Sequence, residues 1–228
     1  MNSTIQILID LSKNVAIMVT LMFGYSLIMK WFPKKPEWLR SIIYGILFSL
    51  IAIIAIQEPV EMIPGVLVDS TNAITVLAAP FGGIPAGVIT GLLVGLHRYY
   101  LGGIGALSGL GLMASTALIG IVFRLWKRSE QKIRISHLVA LGISTYLIAN
   151  LWALTLPLPM DEITNLIKNG AIPLGIIYPL ATIFGGRLLM REIDHQRTIK
   201  TLEESEKKFR ILFDQSINML MLVDLDTM

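Results

Sequence analysis

Arg98 is the residue of this chain that simple packing explains least. It stands between two uncharged runs, Ser70 to His97 and Tyr99 to Phe123, and a guanidinium held among apolar helices is costly unless a partner or ligand meets it. Its planar fork suits a carboxylate or a phosphate. His97 stands beside it, and Asp69, Asn72, Thr75 and Ser108 are the polar residues of the same region that could complete a ligand-binding set. Asp69 would pair the guanidinium, and the others would donate or accept single hydrogen bonds. A plainer reading competes: with Tyr99 and Tyr100 next to it, Arg98 could be an interfacial arginine snorkelling to a polar boundary. Asn150 is open to the same two interpretations.

Bond-making chemistry has little support. His97, His137 and His195 are far apart and show no metal-ligand spacing, and no Ser/His/Asp cluster, phosphate loop or pair of acids appears. There is no cysteine, which removes disulfides, thiolate metal sites and cysteine nucleophiles together. No catalytic residue, metal or cofactor is expected, and the function class is binding.

The elements that must position Arg98 are membrane helices. Of the 228 residues, 54% are hydrophobic and 15% charged, and the apolar residues fall in long blocks, several near the roughly 20 residues a spanning helix needs. The expected fold class is all-α, a polytopic membrane bundle. Ten of the 19 glycines lie between Gly82 and Gly111. Gly83, Gly87, Gly91 and Gly95 repeat every fourth residue, a small-xxx-small surface that lets a second helix approach closely; Gly102 and Gly103 are expected to serve the same packing. The alternative for any one of them is room for a ligand. The first apolar run lacks a basic segment before it and a small-residue cleavage site after it, so it reads as a retained helix.

Lys30, Lys34, Lys35 and Arg40 follow the first apolar run, and Arg124, Lys127, Arg128, Lys132 and Arg134 follow the fourth. Both basic loops are expected on the cytoplasmic side, and the acidic stretch with Glu58, Glu61 and Asp69 outside. The loop from Pro157 to Gly170 also reads as outside. The chain must then cross an odd number of times between Asn72 and Arg124. The run Ala73 to Ala79 is too short to cross, and Pro80-Phe81-Gly82-Gly83-Ile84-Pro85 interrupts it. The expected arrangement is five spans plus a broken, re-entrant helix pair, N-terminus outside and C-terminus cytoplasmic, with the broken backbone shielded inside the bundle. Two full crossings would instead expose five basic residues outside.

Three segments follow from composition: a transmembrane domain over 1–190, a charged helix over 191–210, and the start of another domain over 211–228. In the second, Ile199, Leu202, Phe209 and Phe213 lie near heptad spacing, and Glu203–Lys207 and Glu204–Lys208 are favourable i,i+4 pairs. It reads as a signalling helix forming a short dimeric coiled coil, or else as a solvated tail. The apolar run Ile217 to Leu225 reads as a strand opening a new domain, which implies a cytoplasmic output domain beyond Met228. Basic residues do not gather into a nucleic-acid surface.

Asp69-Ser70-Thr71, the run Phe81 to Gly87, and Gly95-Leu96-His97-Arg98-Tyr99-Tyr100-Leu101-Gly102-Gly103 together resemble the five-transmembrane receptor module of LytS-YhcK type, over about residues 1–190. That resemblance implies the membrane input half of a bacterial sensor histidine kinase or diguanylate cyclase, sensing a small extracellular carboxylate such as pyruvate or the state of the cell envelope. It brings Thr71 into the ligand set, at the position where the family often has a second arginine. Gly109 and Leu112 stand where some members have Cys and Ser. Residues 203–226, with Glu206-Lys207-Lys208-Phe209-Arg210-Ile211-Leu212-Phe213, are similar to the opening of a PAS domain. The expected function is therefore a sensory input module for a small anion. The alternative from the residues alone is a small-solute permease or its substrate-capture subunit, because broken helices around a polar midpoint are also transporter features.

Overall fold

The computed structural model describes residues 3–32, 36–57, 60–63, 66–68, 71–127 and 133–226. Asp69, Lys34, Lys35, Glu58, Arg128 and Lys132, which carry part of the sequence argument, lie outside the described residues. The chain divides into two compact units, Met1–Met190 and Arg191–Met228.

The first unit is helical apart from one hairpin. Its elements are α1 (Ser3–Trp31), α2 (Glu37–Gln57), β1 (Val60–Ile63), β2 (Val66–Val68), α3 (Thr71–Gly82), α4 (Ile84–Tyr100), α5 (Ala106–Trp126), α6 (Ile135–Ala153) and the first part of α7 (Met160–Asp226). β1 and β2 pair antiparallel, with Val60 opposite Val68. The acidic stretch expected outside thus contains a small hairpin.

α3 is the centre of the bundle. All 12 of its residues are buried, against α2, α4, α5 and α6. α3 and α4 are separated by Gly83 alone, whose φ of 94° is a left-handed conformation that glycine adopts without strain. Val76 and Pro80 of α3 lie against Gly120 of α5, while Gly87, Gly91 and Gly95 of α4 lie against Ile121, Ala117 and Leu110 in the opposite order. α3 thus runs parallel to α5 and α4 antiparallel to it, so α3 and α4 form a helical hairpin with its tip at Pro80–Gly83.

The tip leaves carbonyls without helical donors, and neighbouring helices satisfy them. The Tyr25 hydroxyl donates to the Phe81 carbonyl at 2.9 Å, and Arg124 Nη1 donates to the Pro80 carbonyl at 3.2 Å. Pro80 has no N–H for the carbonyl of Val76. Gly120 sits there so closely that a Cβ would stand 2.5 Å from that oxygen, which leaves room for a weak Cα–H contact and nothing larger. Tyr25 stacks on Tyr44 with ring centroids 4.4 Å apart, and the Ser41 hydroxyl oxygen accepts from the Ala86 N–H at 3.1 Å. The break expected after Ala79 is therefore a built turn held by α1, α2 and α5.

Among the described residues three helices, α2, α5 and α6, are long and apolar enough to cross a membrane, and the bent α7 would make four. This is fewer than the five spans expected. α1 carries an apolar stretch over Ala16–Trp31, and α7 bends by 48° between Ile172 and Leu174. α3 is too short to cross.

In the second unit, residues 191–226 are helical. The strand expected over 217–225 is absent: those residues continue α7. A helix satisfies its own backbone groups residue by residue, whereas a strand needs a neighbour, and Met219-Leu220-Met221-Leu222 is made of strong helix formers. Leu202, Phe209 and Phe213 are exposed, and Phe209 stacks on Phe213 at 6.2 Å.

Candidate ligand cavity

At the end of the bundle opposite the hairpin tip, α3 and α5 begin and α4 and α6 end. A cavity of about 250 Å³ opens there, with Arg98 of α4, Asn72 of α3, Ser108 of α5, Asn150 and Trp152 of α6, and Tyr178 of α7 among its walls. At about 30 Å³ per liquid water, that is room for a small organic molecule. Among the described residues that line it there is one cation and no acid.

Arg98 reaches this cavity by crossing Gly109. Its Cγ, Cδ and Nε lie 2.6, 3.4 and 3.1 Å from where a Cβ at position 109 would be, so the missing side chain is what lets the stem lie down on α5. The residue as a whole is exposed. Asn72 is the contrary case, only 4% exposed. Its Nδ2 donates to the Tyr178 hydroxyl at 3.0 Å, and its Oδ1 has no partner among the described residues.

The other polar groups are engaged by the protein itself. The Ser108 hydroxyl donates to the Gly105 carbonyl at 3.1 Å. Asn150 Nδ2 donates to the Tyr146 carbonyl one turn earlier at 2.8 Å, and Trp152 Nε1 donates to the Ser115 hydroxyl at 3.0 Å. The Trp152 ring packs face-on against Gly111. Tyr178 is backed by Tyr146, Ala149, Leu174 and Ile177, so the wall from α6 and α7 is firm.

Of the expected ligand set, Arg98, Asn72 and Ser108 come together at the cavity. Asp69 is outside the described residues. Thr71 is fully buried and donates to the Ala52 carbonyl of α2 at 3.3 Å; it is absent from the cavity wall. His97 shares the α4 face of Ala86, Thr90 and Val94, which packs on α2, and its Nε2 is buried without a partner among the described residues. Thr75 points to Met113 Sδ at 4.0 Å, below the cavity. Thr71 and His97 are the sequence neighbours of Asn72 and Arg98, and a turn of roughly 100° around the helix takes each of them out of the site.

The glycines divide in the same way. Gly87 and Gly91 are in tight contact with Ala79 and Ala117, with 2.6 and 2.5 Å from an added Cβ, and Gly95 lies on Leu110 at 3.1 Å. Gly83 lies on the Ser41 hydroxyl at 2.8 Å. Gly102 and Gly103 have nothing within 4 Å and φ of 72° and 87°: the packing expectation does not extend to them, and they serve the turn after α4. Trp152 and Tyr178 were not among the expected site residues. An aromatic residue near the end of an apolar helix has no sequence signal that separates a cavity wall from a lipid-facing belt.

The model of one protein family, described as 5TMR of 5TMR-LYT, matches residues 24–192. No curated protein and no solved structure matches the chain.

Proposed function

The chain belongs to the 5TMR of 5TMR-LYT family, a membrane sensory module of signalling proteins, and from that premise we propose that it detects a small anion at the cavity formed by Arg98, Asn72 and Ser108. The observation that carries this reading is the convergence of one guanidinium with neutral polar groups from four other helices, without a described acid, in a space of molecular size. Arg98 would hold a carboxylate bidentately and the walls of Trp152, Tyr178 and Leu112 would exclude water from it. Binding would favour one arrangement of α3 and α4 over another, which requires different affinities for the two.

Helix directions support the orientation. The ends that carry Lys30, Arg40, Arg124 and Arg134 lie together, opposite the cavity. With those ends in the cytoplasm, α1, α2, α5, α6 and α7 would cross and the α3–α4 hairpin would enter and leave from the outer side, placing the cavity within reach of external solutes. The helix from residue 191 onward would relay the change to an output domain, a kinase or a cyclase, with a PAS domain between, and its exposed Leu202, Phe209 and Phe213 would pair with a second copy.

Arg98→Ala and Arg98→Lys test the site. Short carboxylates are expected to raise the melting temperature of the purified protein in detergent; Ala should abolish the shift and Lys, which keeps charge but loses the fork, should weaken binding by more than tenfold. Equal behaviour of Lys and wild type would mean that Arg98 is an interfacial anchor.

A further inference from the structure

The cavity has two poles, and only one of them is charged. Arg98 is the cation. Asn72 is the other pole: nine-tenths buried and more, tied to Tyr178 through one end of its amide and, among the described residues, unmet at the other. Ser108, Asn150 and Trp152 already donate within the protein, and among the described residues that line the cavity the buried polar atom left without a partner is Asn72 Oδ1. A buried amide atom without a partner costs free energy until something meets it.

We propose that the ligand is a short hydroxy-monocarboxylate, its carboxylate on Arg98 and its hydroxyl on Asn72. This rests on the reading of the cavity as an anion site. One cation and no described acid favour a single negative charge, because a second carboxylate would face a neutral amide and buried aromatic walls. A hydroxyl is chosen over an ether or a methyl because it both donates and accepts, so it satisfies Asn72 whichever way the amide is turned against Tyr178. A site built to meet a ligand hydroxyl discriminates strongly against the analogue that lacks it, since the protein group is then left unpaired.

The test is a matched series on the purified chain in detergent, read by calorimetry: 2-hydroxypropanoate, 3-hydroxybutanoate and 4-hydroxybutanoate, each against the unsubstituted acid of the same length and against its O-methyl ether. On wild type, at least one hydroxy acid should bind roughly tenfold or more tighter than its parent acid and its ether. Asn72→Leu, of similar volume, should bring hydroxy acid and parent within about twofold of each other, and Arg98→Ala should remove both. The series on wild type decides the question by itself if Asn72→Leu does not fold. Parents that match all three hydroxy acids, with binding still lost in Arg98→Ala, would overturn the hydroxyl pole and leave the anion site standing. So would butanedioate binding tighter than every hydroxy acid, or a preference that survives in Asn72→Leu. No binding by any carboxylate would bring down the anion site and the inference with it.

Discussion

Arg98 and Gly109 work as one unit, an arginine stem lying in the space left by a glycine one helix away. Gly109→Ala puts a methyl group 2.6 Å from Arg98 Cγ, close to the backbone end of the stem, so the whole side chain must leave its path across α5. Because Arg98 is exposed, it can swing into solvent at little cost to the fold. Gly109→Ala is therefore expected to leave the melting temperature of the empty protein within a few degrees of wild type while weakening carboxylate binding by about tenfold; a large fall in melting temperature with binding retained would show that Gly109 serves the bundle and not the arginine. Arg98 was legible in the sequence because a charge inside some fifty uncharged residues has no cheap explanation. His97 was drawn into the same set by adjacency, and Thr71 by the resemblance, at the position where the family often has a second arginine. Sequence neighbours on a helix diverge by about 100°, and here that rotation carries one to the Ala52 carbonyl and the other to the α2 face.

At the scale of elements, the α3–α4 hairpin is held at its tip by side chains and along its length by absent ones. Loss of the Tyr25 hydroxyl in Tyr25→Phe leaves the buried Phe81 carbonyl without its donor, an expected cost of about 1–3 kcal/mol in unfolding free energy. Gly91→Leu forces a branched side chain into the 2.5 Å between α4 and Ala117 and should destabilise at least as much, by overpacking. Gly102→Ala meets nothing within 4 Å, so its cost should be the backbone strain of a left-handed residue, about 1 kcal/mol. A ranking in which Gly102→Ala is the worst of the three, measured by denaturant unfolding in mixed micelles, would contradict the packing described here. The break between α3 and α4 could be read from Pro80, Gly82, Gly83 and Pro85, because proline and glycine act through local backbone geometry. The helix over 217–225 could not: an apolar run bounded by acids fits either period, and what decides it is whether a partner strand exists.

At the scale of the molecule, the helix blocks were legible and their number of crossings was not, since the last apolar block is bent by 48° around Pro173 instead of running straight. The freedom from cysteine makes orientation directly measurable. Thr155→Cys, exposed beside the cavity, should react in intact cells with an impermeant maleimide, while Lys127→Cys, at the end with Arg124 and Arg134, should react only after lysis. The reverse pattern would turn the cavity toward the cytoplasm and end its role as a sensor of external solutes. The complete burial of α3 also bears on how the bundle is made. A 12-residue helix cannot be threaded across the bilayer as a span, and its Val76, Pro80 and Phe81 carbonyls find their contacts on Gly120, Arg124 and Tyr25. Two of those three lie on α5, which the ribosome delivers last. Synthesis order and docking order must therefore differ: α3 waits until α5 is inserted, and a nascent chain stalled before residue 106 presents its most completely buried element to chaperones and proteases.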